Sequence, residues 1–130
     1  MRRVGPLLPL LAAVSFGCGS PTGPGPEPGT IVSLIQVESL EIVRNASSSS
    51  GLGVRVQGVL GDGCTELVLP IEQEREGALV RIRILRQRPA DAVCTQIAKL
   101  FDQVVPLLGE FPPGPYVVRV NDSELAFSVP

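Results

Sequence analysis

The stretch "YVVRVNDSELAFSV" (residues 116–129) decides the fold, because it predicts a β-hairpin on its own. Apolar and polar residues alternate in both arms with the two-residue period of a half-buried strand, and the polar residues 121–123 predict the turn. The apolar face of this hairpin comprises Tyr116, Val118, Val120, Leu125, Phe127 and Val129. Such a face must pack against further strands, so we expect a sheet structure upstream.

Three upstream segments predict those strands. "IVSLIQVESLEIV" (31–43) alternates, with a change of phase near Ser39 that indicates a β-bulge, and "LGVRVQGVL" (52–60) alternates as well. "QVVPLL" (103–108) predicts a short strand that Pro106 restricts to a sheet edge or a bulge, because proline has no N–H to donate.

A second hairpin is predicted in "LVLPIEQEREGALVRIRIL" (67–85), with a turn centred on Glu76 and Gly77. This register pairs Ile71 with Ile82, Leu69 with Ile84 and Glu72 with Arg81. The last pair places opposite charges directly across the two strands, which stabilises a sheet modestly.

The segment "RPADAVCTQIAKLF" (88–101) interrupts this pattern. Its Pro89 and Asp91 suit the start of a helix, so we expect one short helical turn near 90–100, or a covered loop. About seven strands in roughly 100 residues predict an all-β fold, an immunoglobulin/fibronectin III-like β-sandwich over residues 31–130.

Residues 1–17 are expected to be a signal peptide. Arg2 and Arg3 precede fourteen uncharged residues, too few for the ~20-residue helix that spans a bilayer. The alternative, a buried N-terminal helix or strand, is disfavoured by Pro6 and Pro9.

The residues around Cys18 predict how the signal ends. "VSFGC" (14–18) resembles a bacterial lipobox in its Gly17, although Ser15 and Phe16 depart from the usual residues. The resemblance implies that Cys18 is lipidated and becomes the first residue of the mature protein. Ser15 and Gly17 also fit ordinary signal-peptide cleavage, which leaves a secreted protein with a free Cys18 as the alternative.

Residues 18–30 join this cysteine to the predicted domain. The sequence after Cys18, "GSPTGPGPEPGT", is rich in proline and glycine and predicts an extended tether that reaches roughly 35 Å. Gly19 stands where a retention-type lipoprotein carries aspartate. By resemblance to Gram-negative lipoproteins, this favours an outer-membrane location facing the periplasm or the cell surface.

Three cysteines leave one unpaired in an exported chain. If Cys18 carries lipid, Cys64 and Cys94 can form a disulfide in an oxidising compartment. The alternative is a redox pair, which the 30-residue spacing and the absence of a C-x-x-C motif disfavour.

The composition excludes several classes of function. The 130 residues contain no histidine, so Ser-His-Asp and Cys-His sites are absent, and no glycine-rich stretch opens a helix as a phosphate loop does. Without residues 1–17 the chain has 9 basic and 13 acidic residues, a net charge of −4 that does not suggest nucleic acid. We expect no catalytic residues, no cofactor and no enzymatic activity.

Two groups of charged residues are candidate sites. The alternating Glu72, Glu74 and Glu76 predict a solvated strand face paired with nearby arginines in preference to a metal site, and Asp62 with Glu66 is a weaker metal candidate. We therefore expect no metal. The basic cluster is a candidate binding site for an acidic partner or a polysaccharide, against the alternative of a soluble strand edge. It comprises Arg81, Arg83, Arg86 and Arg88.

Three motifs resemble a known kind of domain. "GDGCTE" (61–66), "RPADAVCTQ" (88–96) and "FPPGPYVVRVN" (111–121) are similar to a domain of uncharacterised bacterial exported proteins and lipoproteins, over about residues 34–129. The resemblance implies a β-sandwich with a Cys64–Cys94 bridge and carries no activity.

These observations predict a lipid-anchored cell-envelope protein with a non-catalytic structural or binding role. Its expected partners are the membrane, through the N-terminal lipid, and an envelope protein or polysaccharide, with no nucleic acid. The alternative is a secreted soluble β-sandwich that binds a partner or inhibits a protease through the proline-rich loop 111–115, expected beside the bridge.

Overall fold

The computed structural model describes residues 29–130, together with Gly5 and Gly17. The predicted lipidation site Cys18, and the predicted signal peptide and tether apart from those glycines and residues 29–30, lie outside the described residues. The strands are β1 (Thr30–Leu34), β2 (Gln36–Arg44), β3 (Leu52–Gly61), β4 (Glu66–Leu67), β5 (Glu72–Glu76), β6 (Leu79–Arg83), β7 (Leu85–Pro89), β8 (Lys99–Pro106), β9 (Gly114–Val120) and β10 (Ser123–Val129). The described part of the chain contains no helix, which confirms the all-β prediction.

The ten strands form three sheets. Sheet I has the order β2-β3-β8, sheet II the order β10-β9-β6-β5, and sheet III the order β1-β7-β4. Neighbouring strands are antiparallel except β6 and β9, which run parallel.

The expected count of about seven strands was wrong because three predicted strands divide. The first arm of the 67–85 hairpin forms β4 and β5, and two long apolar runs divide as well. Ile35 separates β1 from β2, and Ile84 separates β6 from β7, so each run passes from one sheet into another. Both isoleucines are buried, and the Ile35 N–H donates to the Ile84 carbonyl oxygen at 3.1 Å. The two divided runs therefore meet at a single corner of the molecule.

The core lies between sheets I and II. Alternate residues of each strand face inward, as the two-residue period requires. Sheet I contributes Leu52, Val54, Val56, Phe101 and Val105, and sheet II contributes Val80, Ile82, Val118 and Val120, all buried. This confirms the apolar faces predicted for residues 52–60 and for the first arm of the 116–129 hairpin.

The bulge predicted near Ser39 is present. The register between β2 and β3 shifts between Val37 and Ser39. Val37 lies opposite Gly58, where a Cβ atom would stand 2.0 Å from the Gln36 carbonyl oxygen. The bulge therefore requires glycine at this position, because the two backbones approach too closely for a side chain.

The predicted register of the 67–85 hairpin was wrong. Glu72 lies opposite Arg83 instead of Arg81, and Gln73 lies opposite Ile82, because the turn is formed by Gly77 and Ala78. A two-residue turn of this kind needs a positive φ at its first position. Gly77 adopts a φ of 59° there, whereas the predicted register would have required it of Glu76.

The helical turn predicted near 90–100 was also wrong. Residues 90–98 are irregular, and Val93 and Ile97 are exposed, so the segment is not covered either. Its conformation is set by the loop 61–65, because Cys94 is bonded to Cys64 and the Gly63 N–H donates to the Thr95 carbonyl at 3.0 Å. These non-local contacts replace the i, i+4 bonds of a helix.

Asn121 connects the β9–β10 turn to the corner formed by the isoleucines. Its Oδ1 accepts from the Ile84 N–H at 2.9 Å, and its Nδ2 donates to the carbonyls of Ile35 and Ile84 at 3.0 and 3.1 Å. Its own φ is 52°, a left-handed conformation that asparagine tolerates better than most residues. One side chain therefore satisfies backbone groups at both points where the chain changes sheet.

Candidate functional site

The region around the disulfide contains a network of polar contacts. Cys64 and Cys94 are bonded, with an S–S distance of 2.10 Å and their Cα atoms 5.5 Å apart. Asp62 Oδ1 accepts from the Cys64 N–H at 3.1 Å and from the Thr65 hydroxyl at 2.9 Å, and Asp62 Oδ2 lies 2.9 Å from Arg88 Nη2. The bridge, the acidic turn and β7 are thus joined in one network.

The electrostatics of this network favour an ionised Asp62. The Thr65 hydroxyl is the main cause that lowers the pKa of Asp62, and the Cys64 N–H and the charges of Arg88 and Lys99 act in the same direction. Arg88 Nη2 also lies 3.7 Å from Cys94 Sγ. Arg88 Nε is buried and has no hydrogen-bond partner among the described residues.

The same network contains a group of potential metal ligands. The donor atoms of Asp62, Cys64 and Cys94 lie within 4.8 Å of one another, the single such group of three among the described residues. The disulfide leaves no thiolate to coordinate a metal, and Arg88 pairs with the carboxylate. Glu66, the other half of the weak candidate, lies on β4 and is not part of this group.

The four arginines of the predicted binding cluster do not share one environment. Arg81 lies 3.2 Å from Glu76, and Arg83 lies 3.4 Å from Glu72, both on the outer face of sheet II. The predicted pairing of the glutamate face with arginines is therefore present, although between different partners.

The other two arginines lie on β7 in sheet III. Arg86 donates to the Ser33 hydroxyl at 3.0 Å and to the Leu60 carbonyl at 2.8 Å, and Arg88 is held by Asp62. All four guanidinium groups thus have partners within the chain. Their role in binding an acidic partner or a polysaccharide stays a prediction.

The proline-rich loop 111–115 packs on aromatic residues and not on the bridge. The Phe111 and Tyr116 rings are 5.1 Å apart, and the Arg75 guanidinium lies 4.0 Å from the centre of the Phe111 ring. The Tyr116 hydroxyl donates to the Pro112 carbonyl at 2.6 Å. β9 begins at the end of this loop and runs parallel to β6, so the loop lies near the start of β6. β7 follows the end of β6 and carries Arg88, which contacts Asp62 beside the bridge. The expectation that the loop lies beside the bridge was therefore wrong.

Sequence reasoning missed the structural roles of Asn121, Gln73 and Arg75. The Gln73 side-chain amide donates to the Pro106 carbonyl and accepts from the Leu108 N–H. Gln73 and Arg75 occupy alternate positions in a charged strand, which carries no signal of such contacts. Asn121 had one available signal, its place at a turn position where asparagine tolerates positive φ.

The fold and the bridge define a disulfide-stapled β-sandwich domain. The ORF11 beta-sandwich domain family matches residues 54–129, more than half of the chain, and the protein belongs to this family.

The curated relatives are small proteins without an established function. An uncharacterized 10.2 kDa protein in HgiCIIM 5'region of Herpetosiphon aurantiacus is 33% identical over 88 residues, which cover 68% of this chain and 93% of that protein. A second, in HgiBIM 5'region of the same organism, is 36% identical over 69 residues, which cover 53% of this chain and 83% of that protein. No solved structure matches the chain.

Proposed function

We propose that the protein is a lipid-anchored, non-catalytic binding or structural module of the bacterial cell envelope, attached through Cys18. The observation that carries this proposal is the Cys64–Cys94 disulfide, because structural disulfides persist in oxidising compartments outside the cytoplasm. The bridge also accounts for two of the three cysteines and leaves Cys18 for modification.

The anchor itself is supported by the sequence around Cys18. A lipobox-like "VSFGC" precedes a tether of proline and glycine that separates the modified residue from the domain. Two or more acyl chains hold a protein stably on a membrane, whereas one does so only marginally. The described part of the chain includes no helix with the length and apolar character needed to cross a bilayer. By resemblance, Gly19 favours the outer membrane.

A non-catalytic role is supported by the chemistry of the domain. The whole sequence lacks histidine, and the acidic and basic side chains weighed as sites pair mainly with each other. A general base or nucleophile needs a group that is free to exchange a proton with substrate. Mutually paired carboxylates and guanidinium groups on a rigid sheet serve stability and solubility instead.

The experiment that tests the anchor is the intact mass of the mature protein from native membranes. We expect a chain that begins at Cys18 and carries about three acyl chains. The matched control is Cys18→Ala, which should lose the acyl mass and leave the membrane fraction. A wild-type chain without acyl mass, or one that retains residues 1–17, would contradict the anchor and favour the secreted alternative.

A further inference from the structure

The outer edge of β8 carries unpaired backbone groups. β8 is the last strand of sheet I and pairs with β3 on one side. The Leu107 N–H donates to the Leu52 carbonyl at 2.9 Å, so residues 105, 103 and 101 also direct their backbone groups towards β3. The N–H and C=O groups of Leu100, Asp102 and Val104 therefore face away from the sheet, and no partner for them exists among the described residues.

An amide of the chain itself already binds at one end of this edge. The Gln73 Nε2 donates to the Pro106 carbonyl at 2.9 Å, and Gln73 Oε1 accepts from the Leu108 N–H at 2.9 Å. A side-chain amide thus makes the two hydrogen bonds that the backbone of a neighbouring strand would make. The contact ends at Pro106 and leaves the edge from Leu100 to Val104 open.

Two uncharged recesses flank the open edge. One has a volume of about 580 Å³, and Leu69, Pro70, Ile71 and Leu108 line it. The other, of about 370 Å³, is lined by Val43, Ala46 and neighbouring polar residues, and Val104 and Pro106 border both. Leu69 is 72% exposed and Leu108 57% exposed.

We propose that the β8 edge binds an uncharged, extended peptide segment of a partner protein as an additional strand. Donors and acceptors that repeat every second residue match an extended backbone, and the alternating side chains of that backbone would enter the two recesses in turn. Charge complementarity decides the chemistry of the segment. No charged residue lines either recess, so a charged side chain would lose its hydration there without gaining a partner.

A second copy of the chain fits this edge less well. A symmetric antiparallel pairing centred on the open residues places Asp102 directly opposite its own copy. Each Asp102 carboxylate is already held by Arg55 at 2.8 Å, so the two like charges gain no partner from each other. The proposal rests on the proposed binding role of the domain, but it does not depend on the lipid anchor.

The experiment measures residue-resolved amide hydrogen exchange of the full chain in detergent. The probe is a capped peptide of about seven residues in which valine and threonine alternate, a length typical of a strand. At saturating probe, we expect exchange at Asp102 and Val104 to slow by about tenfold or more, while Phe101 and Gln103, already bonded to β3, stay unchanged. The fully N-methylated peptide has the same side chains without donors and should give no protection.

Two variants separate backbone pairing from apolar contact. Val104→Pro removes an outward N–H that does not bond to β3, and should lower the affinity for the probe peptide by about tenfold. Val104→Thr keeps this N–H and should bind the peptide like the wild type. If Val104→Pro fails to fold, Leu69→Glu is the second variant. It places a charge in the larger recess and should lower the affinity for the probe peptide.

Three outcomes would overturn the proposal. They are equal binding of the N-methylated peptide, an absence of protection at Asp102 and Val104, and concentration-dependent protection of these amides without probe, which assigns the edge to a second copy. The intact mass at Cys18 is measured separately, so failure of this proposal is distinguishable from failure of the anchor.

Discussion

At the scale of single residues, Asn121 illustrates how one side chain holds a corner of the sandwich. The chain changes sheet at Ile35 and again at Ile84, and at such points the regular ladder cannot satisfy every backbone group. The Asn121 amide supplies one acceptor and two donors there. Its left-handed conformation aims the side chain at the corner and also closes the β9–β10 turn.

We predict that Asn121→Gly lowers the free energy of unfolding by about 2–3 kcal/mol, because three hydrogen bonds are lost and partly buried backbone groups lose their partners. Asn121→Ala should cost about 1 kcal/mol more, since alanine tolerates the left-handed conformation less well than glycine. Urea unfolding measures both. The neighbouring exposed Asp122→Ala is the control, and an equal effect of Asn121→Gly and the control would contradict the assigned role.

The network at the bridge predicts a pH dependence of stability. The pKa of Asp62 is lowered in the folded state, first by the Thr65 hydroxyl, so the folded state favours the ionised carboxylate. Its contribution is complete above the ordinary aspartate pKa of about 3.9 and is lost as the pH falls through the lower folded pKa. We therefore expect the stability difference between the wild type and Asp62→Asn to shrink in this acidic range.

The pKa of Asp62 can be measured directly by NMR titration of its carboxyl carbon. Thr65→Val keeps the shape of this buried side chain but removes the hydroxyl, and should raise the pKa of Asp62 towards its ordinary value. Asp62 titrating at or above that value in the wild type would contradict the network.

At the scale of elements, the β5–β6 hairpin shows how turn chemistry sets register. The charge pattern alone permits Glu72 to face either Arg81 or Arg83, because a shift of two residues keeps every side chain on its face. The requirement for a positive φ at the first turn position selects the second register, since Gly77 meets it without strain.

We predict that a double-mutant cycle of Glu72→Ala and Arg83→Ala gives a coupling of about 0.2–1 kcal/mol, near the lower limit because both side chains are more than half exposed. The matched cycle of Glu72→Ala and Arg81→Ala should give a smaller coupling, because these residues are not directly opposite. Thermal or urea unfolding measures both cycles. A larger coupling between Glu72 and Arg81 would contradict the observed register and support the register predicted from charge.

The conformation of the irregular segment after β7 could not be predicted from the local sequence pattern. Ala92, Ile97 and Ala98 suit a helix by propensity, but the segment is tied to the loop 61–65 through Cys94 and Thr95. Intrinsic propensity amounts to less than about 1 kcal/mol per residue, which a covalent bridge and non-local hydrogen bonds readily exceed.

At the scale of the whole molecule, the bridge joins the loop between β3 and β4 to the irregular segment between β7 and β8. Cys64 follows β3, and Cys94 lies midway in the irregular segment between β7 and β8, 30 residues away. A cross-link over such a loop restricts the unfolded chain far more than the folded one.

We predict that the double variant Cys64→Ser, Cys94→Ser lowers the free energy of unfolding by about 3–4 kcal/mol in the chain-entropy model. Guanidinium unfolding under non-reducing conditions measures the loss, and reduction of the wild type should reproduce it. Cys18→Ser is the matched control, because it changes a cysteine outside the bridge and should leave stability unchanged. Equal stability of all three proteins would show that the bridge contributes nothing to the fold.

The sequence by itself determined the all-β class, the apolar faces of the central strands, the bulge near Ser39 and the 116–129 hairpin. Each of these follows from local period or turn chemistry, which act over a few residues. The Cys64–Cys94 bridge was implied by the family resemblance, and the cysteine count predicted it only if Cys18 carries lipid; the structure forms the bridge. The tertiary structure decided where Ile35 and Ile84 pass between sheets, how Asn121 and Gln73 bind distant backbone, and which edge of β8 stays open. These features depend on which strands become neighbours, and adjacency is set by burial of the whole core, which no local pattern encodes.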